Sequence, residues 1–265
     1  MTDRLPNMGS ILFLGTGASM GVPIVGCSCS VCKSESPYNK RLRPSALLNI
    51  MGKRFLIDCG PDFREQALRI GLKSIDGVLL THAHHDHMAG LDELRSLYLV
   101  DRKPVPLLVS FSTSQEVRKR FHYLFDHPMG THFDMQVLAE NEGNTVFQGV
   151  QMSYFSYKQV GMEVNGFRIG DIAYVSDIRD YQDTIFKALK GVKTLVLSAL
   201  RFTPSPMHFS VDEAVDFVNR VAPQRTFLMH ISHELDHDST NAYLSGNKSI
   251  SLAYDGLRLS FSGEI

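Results

Sequence analysis

Residues 81–90 read THAHHDHMAG, with four histidines and one aspartate between His82 and His87. Imidazole nitrogen and carboxylate oxygen are the usual ligands of zinc and its neighbours. Residues two apart do not share a helix face, so His82 and His84 can act together only from extended chain. Asp86 and His87 would then turn the chain into the next helix. Such a loop can serve two metals a few ångströms apart, His82 and His84 on one, Asp86 and His87 on the other. A metal held this way lowers the pKa of bound water to about 7, which supplies a nucleophile at neutral pH. Further ligands are required, and Asp177 and His230 qualify. Each ends an apolar strand, IAYVSD and TFLMH, where α/β folds gather their site residues. His85 falls in the gap of the spacing and is expected to be exposed or to sit beside the ligands.

A second cluster lies upstream. GCSCSVC places Cys27, Cys29 and Cys32 in a C-x-C-x2-C pattern. Three thiolates need a fourth ligand to close a tetrahedral zinc, and the residues alone leave Cys59 and His233 open. Cys59, at the end of FLID, also reads as a small buried hydrophobe.

The elements that must carry these groups alternate. Apolar runs predict strands at 10–15, 54–60, 75–81, 104–111, 194–200, 225–232 and 257–263, and a hairpin at 166–177. Helices are expected at 62–72, with Asp62 as N-cap and Glu65 closing a capping box, and at 90–100, 114–125 and 184–191. Another follows Ser210, with Glu213 closing its box. Val117, Phe121, Leu124 and Phe125 form one apolar side, so 114–125 faces the core rather than a nucleic acid. His122, His127 and His132 are assigned to the surface or a lid. His237 is close enough in sequence to His230 to be a candidate substrate contact. No linker, low-complexity tract or short repeat interrupts the chain, which is read as one α/β domain over 1–265.

The 265 residues are 43 % hydrophobic and 21 % charged, with net charge -1. No basic excess recommends nucleic acid as a partner. No secretory pattern opens the chain and no apolar run spans a membrane, so a cytoplasmic protein is expected. Four cysteines agree with that if they hold metal rather than disulfides.

H-x-H-x-D-H after a buried strand, with a later Asp and a later His at strand ends, resembles the metallo-β-lactamase superfamily. ILFLGTGASMGVP, LIDCGPDFR, LLTHAHHDHMAGLDELR, AYVSD, MHFSVDEA and MHISHELDH together resemble its PhnP-type branch, over nearly the whole chain. That branch includes the phosphodiesterase of phosphonate breakdown that opens a phosphoribosyl cyclic phosphate. The resemblance implies a four-layer αβ/βα sandwich with a dinuclear metal site at one edge, and hydrolysis of cyclic or small nucleotide-like phosphodiesters. It implies His82, His84, Asp86, His87, Asp177 and His230 as ligands, with Asp177 bridging. It sets His208 beside the substrate phosphate, and Asp58 behind the ligands as a supporting carboxylate. It also answers the cysteine question with His233, giving a structural Cys3His zinc beside one or two catalytic Zn2+ or Mn2+ ions. Homodimers are common in the superfamily, and the expectation extends to this chain.

One departure stands out. The family places a further histidine ligand on the strand before GFRI, completing the site of His82 and His84. No histidine occurs here between His132 and His208. Tyr157 or Gln159 could supply an oxygen instead, and both are weaker zinc ligands than imidazole. An asymmetric site follows, firm at Asp86, His87, Asp177 and His230 and loose at His82, His84 and Asp177. Three alternatives remain open. Ribonuclease Z-like tRNA 3′ processing would need a long RNA-gripping arm that this chain lacks. A metal-binding module with little catalysis draws support only from the missing histidine. Lactam or thioester hydrolysis ranks below both.

Overall fold

The computed structural model describes residues 8–126, 130–247 and 249–263. Fourteen strands and eight α-helices follow one another: β1 (Met8–Gly15), α1 (Ser30–Lys33), β2 (Ser45–Ile50), β3 (Lys53–Ile57), α2 (Phe63–Arg69), β4 (Gly77–Leu79), α3 (His85–Met88), α4 (Arg95–Asp101), β5 (Val105–Val109), α5 (Phe111–Arg120), β6 (Phe133–Val137), β7 (Glu142–Phe147), β8 (Val150–Gln159), β9 (Met162–Ile169), β10 (Ile172–Val175), α6 (Ile185–Ala188), β11 (Thr194–Ser198), α7 (Val211–Val221), β12 (Arg225–Met229), α8 (His237–Leu244), β13 (Ile250–Leu252) and β14 (Arg258–Ser262) among the described residues. They form two seven-stranded sheets, ordered β14-β1-β2-β3-β4-β5-β6 and β13-β12-β11-β10-β9-β8-β7.

Side-chain alternation along the strands makes the layers. Ile11 and Phe13 of β1 enter the apolar core between the sheets with Phe55, Tyr154, Phe167 and Tyr174. Their neighbours Leu12 and Leu14 point the other way, into a cluster with Phe63, Leu91, Leu94 and Val117 from the helical side. The second sheet repeats the rule. Val196 of β11 faces the inter-sheet core, while Leu195 and Leu197 pack with Phe217 and Val218 of α7. Helices, sheet, sheet and helices are the four layers of an αβ/βα sandwich.

Each sheet is antiparallel on one side and parallel on the other. β3 pairs antiparallel with β2 and parallel with β4. β10 pairs antiparallel with β9 and parallel with β11. Ligands in open α/β sheets gather beyond the carboxyl ends of parallel strands, where the topology switches, and β3, β4, β10 and β12 all end at one place.

Several local expectations need correction. Asp62 precedes α2 but makes no side-chain cap, because its carboxylate accepts from Arg43 N at 2.8 Å and Arg43 Nη1 at 2.6 Å. The 90–100 helix begins as a 3-10 stretch, Ala89–Leu94, and only then becomes α4. His132 is buried, 3 % exposed, against Tyr98, so it is neither surface nor lid. His122 is exposed, and His127 lies outside the described residues. The Ser210–Glu213 capping box is present on α7 as expected.

Two glycines set the clearance of the histidine loop. A Cβ on Gly60 would meet Asp86 O at 2.1 Å, and one on Gly90 would meet Gly60 O at 2.1 Å. The turn after β3 and the loop after β4 are pressed backbone to backbone, and Cys59 N donates to His87 O at 2.7 Å while Gly90 N donates to Cys59 O at 2.8 Å. Gly60→Ala is therefore expected to cost on the order of 1–3 kcal/mol in denaturant unfolding, as overpacking does, and to lower bound metal per chain. An unchanged midpoint would mean the loop yields freely.

Candidate metal centres

The strands deliver four segments to one edge of the sandwich. Asp58 follows β3, Thr81 to His84 follow β4, Asp177 follows β10 and His230 follows β12. Asp58, Asp177 and His230 all hold left-handed backbone, with φ of 60°, 52° and 63°. Non-glycine residues adopt that region at a cost. The bend turns each side chain away from its strand and into the gap between the sheets.

Asp58 is fully buried and organises the histidine loop. It accepts from Thr81 N at 2.8 Å, from Thr81 Oγ1 at 2.9–3.0 Å and from His87 Nδ1 at 2.7 Å. Thr81 Oγ1 in turn lies 2.9 Å from His82 Nδ1. Both imidazoles thus commit Nδ1–H to the scaffold, which turns their Nε2 atoms toward the other ligand-type groups. His87 Nε2 is buried with no hydrogen-bond partner. It lies 3.4 Å from Asp86 Oδ2 and 3.6 Å from Asp177 Oδ2.

Two sets of ligand-type atoms result, sharing Asp177. In the first, His230 Nε2 is 3.3 Å from Asp86 Oδ2 and 3.4 Å from Asp177 Oδ1, with His87 alongside. In the second, His82 Nε2 is 2.9 Å from His84 Nδ1 and 3.6 Å from Asp177 Oδ2. His208 stacks on His230 at 4.8 Å and approaches Asp177 Oδ2 to 3.9 Å.

Charge in this pocket is unbalanced toward the carboxylates. Burial alone would raise Asp177, yet His230, His87 and His82 hold it well below the usual carboxylate range. Burial opposes charge on His87, but Asp86, Asp177 and Asp58 outweigh it and hold the imidazole well above its ordinary value. His230 is raised likewise, by Asp177 and Asp86 against burial. Burial drives His82 well below, and it brings His208 down to about 4. Anionic carboxylates around an unpartnered imidazole nitrogen fit a divalent cation, with protons as its competitors.

The cysteine cluster is a separate centre. Cys27, Cys29 and Cys32 Sγ lie 3.3, 3.6 and 3.5 Å from one atom, His233 Nδ1. A tetrahedral zinc with ordinary Zn–S and Zn–N bonds has S···N edges of about 3.6 Å. Donor set and spacing fit. The N–H of Cys32 is the chief cause that brings the Cys29 thiol down to about 6, toward the thiolate a metal takes. Cys59 stands apart, fully buried in the apolar cluster under the first sheet.

Comparison with known proteins places this arrangement. Residues 53–231 match the beta-lactamase superfamily domain. The chain aligns over 98 % of its length with all of a crystal structure described as a new diphosphatase from the PhnP family, at 36 % identity and a TM-score of 0.90. The chain belongs to the metallo-β-lactamase superfamily.

It joins the PhnP-type branch of that superfamily. An octanoyltransferase of Porphyromonas gingivalis is 34 % identical over 226 residues, 84 % of this chain and 46 % of that protein. The chain thus spans about half the length of that relative. The anti-Pycsar protein Apyc1 of Paenibacillus harenae is 27 % identical over 82 % of this chain and 92 % of its own length. Zinc-bound PqqB from Methylobacterium extorquens, at 20 % identity and a TM-score of 0.77 over 94 % of this chain and 99 % of that one, shares the fold.

Within this metallo-β-lactamase frame, all the histidines and aspartates expected at the site converge. His85 is exposed. His237 turns from the site: it contacts Arg41 Nη2 at 3.0 Å and stacks on Tyr38 at 4.7 Å. Two contributors escaped sequence reading. Thr81 links Asp58 to His82, and its only signal is a hydroxyl at the strand end before the motif. Asn165 of β9 donates to Thr81 O at 2.8 Å through its backbone, tying the second sheet to the loop.

Asp58→Asn is expected to weaken metal binding 10–100-fold, as loss of a group that orients a ligating histidine does, with zinc titration as the measurement. The raised imidazoles give the pH sign. As pH falls, protons on His87 and His230 compete with the cation, so metal affinity falls and metal uptake releases protons. Calorimetry in two buffers of different ionisation enthalpy should give different heats; equal heats would contradict it.

Proposed function

We propose that this metallo-β-lactamase-fold hydrolase is a phosphodiesterase acting on cyclic or small nucleotide-like phosphodiesters. The observation that carries this is Asp177. One carboxylate faces His230 through Oδ1, and His82 and His87 through Oδ2, so it lies between two cation sets with His208 beside it. Asp86, His87, Asp177 and His230 would hold one cation, and His82, His84 and Asp177 a second. Such cations supply activated water at neutral pH and Lewis acidity toward a phosphoryl oxygen. We read them as zinc or manganese, and the Cys27–Cys29–Cys32–His233 centre as one structural zinc.

The remaining work belongs to side chains. Asp58, through His87 and Thr81, keeps the imidazole lone pairs aimed inward. Burial keeps His208 neutral at pH 7, so it can donate one N–H to a phosphoryl oxygen but holds no second proton for the leaving group. The leaving oxygen then takes its proton from water. A diphosphatase among the similar structures keeps phosphorus as the reacting atom. Among the described residues no helix is long and apolar enough to cross a membrane. Together with the near-neutral charge, this supports a small diffusible substrate and a cytoplasmic setting.

The test is hydrolysis of a generic aryl phosphodiester and of cyclic nucleotides by metal-loaded protein, with and without chelator. Turnover abolished by chelation and restored by metal supports the reading. Cleavage of a tRNA precursor with no turnover of small diesters would replace it with ribonuclease Z-like processing. His208→Ala is expected to lower kcat about 10²–10³-fold, the scale for removing one donor to a developing oxyanion, with metal content unchanged by elemental analysis.

A further inference from the structure

The two cation sets are unequal in protein atoms. With Asp177 counted in both, since it also lies 3.6 Å from His87 Nε2 and 3.4 Å from His230 Nε2, one set has Asp86, His87, His230 and Asp177, four groups, and the other His82, His84 and Asp177, three. Gln159 stands against the shared Asp177, at the oxygen Oδ2 that also lies 3.6 Å from His82 Nε2. It ends β8 with 2 % of its surface exposed. Its Nε2 lies 3.3 Å from Asp177 Oδ2 and 3.0 Å from His208 Nε2. The other end of the amide, Oε1, is buried without a hydrogen-bond partner. A bare buried carbonyl oxygen is an acceptor in want of a partner. Tyr157, the other oxygen in reach along the strand, is committed: its hydroxyl donates to Ser176 O at 2.6 Å.

We propose that Gln159 is the fourth protein group of the His82–His84–Asp177 set, giving its amide oxygen to a second divalent cation that is held weakly and exchanges readily. A half-turn about the last side-chain bond exchanges the ends of the amide. Oε1 loses no hydrogen bond in that turn. Nε2 gives up its contacts with Asp177 and His208, and the cation takes over the one with the carboxylate. A neutral carbonyl oxygen brings no charge and suits zinc less well than imidazole. The buried NH2 is also left short of partners, which weakens the site further. One cation is therefore firm and the other labile, within a single pocket that shares Asp177. This deepens the two-cation reading above and rests on it.

The experiment counts metal rather than turnover. Chelated protein is equilibrated with Zn2+ buffered over a range of free concentrations, and bound zinc per chain is measured by elemental analysis, with far-UV circular dichroism as the folding check. Wild type should fill two sites tightly, the cysteine centre and the Asp86 set, and a third only at free zinc roughly tenfold higher or more. Gln159→His should bring the third site down by roughly tenfold or more, and Gln159→Ala should push it up, the scale on which groups around a metal change affinity. Gln159→Glu, which keeps the side chain's size and adds charge, should tighten it and decides the matter if the alanine variant misfolds. A third site equally tight in all variants, or absent from all of them, overturns the proposal. Zinc that behaves as expected without hydrolysis of any phosphodiester would sink the functional reading and leave this one standing.

Discussion

The Asp58 carboxylate is the contact on which the site depends. It is fully buried, and burial pushes it above the usual carboxylate value despite His87 and Thr81. Placing such a group inside a protein is costly unless its oxygens are paired, and here both are, entirely by atoms of the histidine loop. That loop contains little that packs. Its imidazoles would be free to rotate without a fixed acceptor behind them. One carboxylate sets the direction of two rings, one directly and one through a threonine hydroxyl. Cations then meet nitrogen lone pairs already aimed at them.

The same logic explains where strain is kept. Strands deliver backbone to the sheet edge with side chains alternating up and down, and neither direction reaches the gap between the two sheets' ends. A left-handed residue at the end of β3, β10 and β12 redirects the chain. Asp and His tolerate that region better than branched residues do. The glycines at 60 and 90 let two loops touch through their backbones. These local costs are met by the apolar layers beneath, where Phe55, Tyr154, Phe167 and Tyr174 fill the space between the sheets.

Much of this was legible in the sequence. The H-x-H-x-D-H spacing, Asp177 and His230 at the ends of apolar runs, and the Cys-rich loop named nearly every group that converges, because ligand chemistry restricts residue type and strand ends restrict position. The apolar runs pointed to one α/β domain, and the family resemblance alone implied its four layers. Other features were not. Asp62 looked like a helix cap because the rule for caps is local, whereas Arg43, nineteen positions away along the chain, claimed its carboxylate. His132 looked superficial because nothing nearby in sequence shows that Tyr98 covers it. Thr81 and Asn165 act by hydrogen bonding across loops and sheets, and no spacing rule reports that. Between Tyr157 and Gln159 the sequence could not choose, since both lie on the same strand two residues apart. The choice falls to the partner each has found.

The two sheets repeat one order of pairings, three antiparallel and then three parallel, and β3 and β10 occupy the same place in it. Each is followed by an aspartate in left-handed backbone, Asp58 and Asp177. Like residues at like positions nevertheless have opposite occupations. The first accepts only from Thr81 and His87 of the histidine loop, and the second accepts from Ser176 Oγ and Gln159 Nε2 while three imidazole Nε2 atoms, of His82, His87 and His230, surround it. Scaffold and reagent are here distinguished neither by residue type nor by place in the sheet, but by which imidazole nitrogen meets the carboxylate: His87 Nδ1 at Asp58, and the Nε2 atoms of His82, His87 and His230 at Asp177.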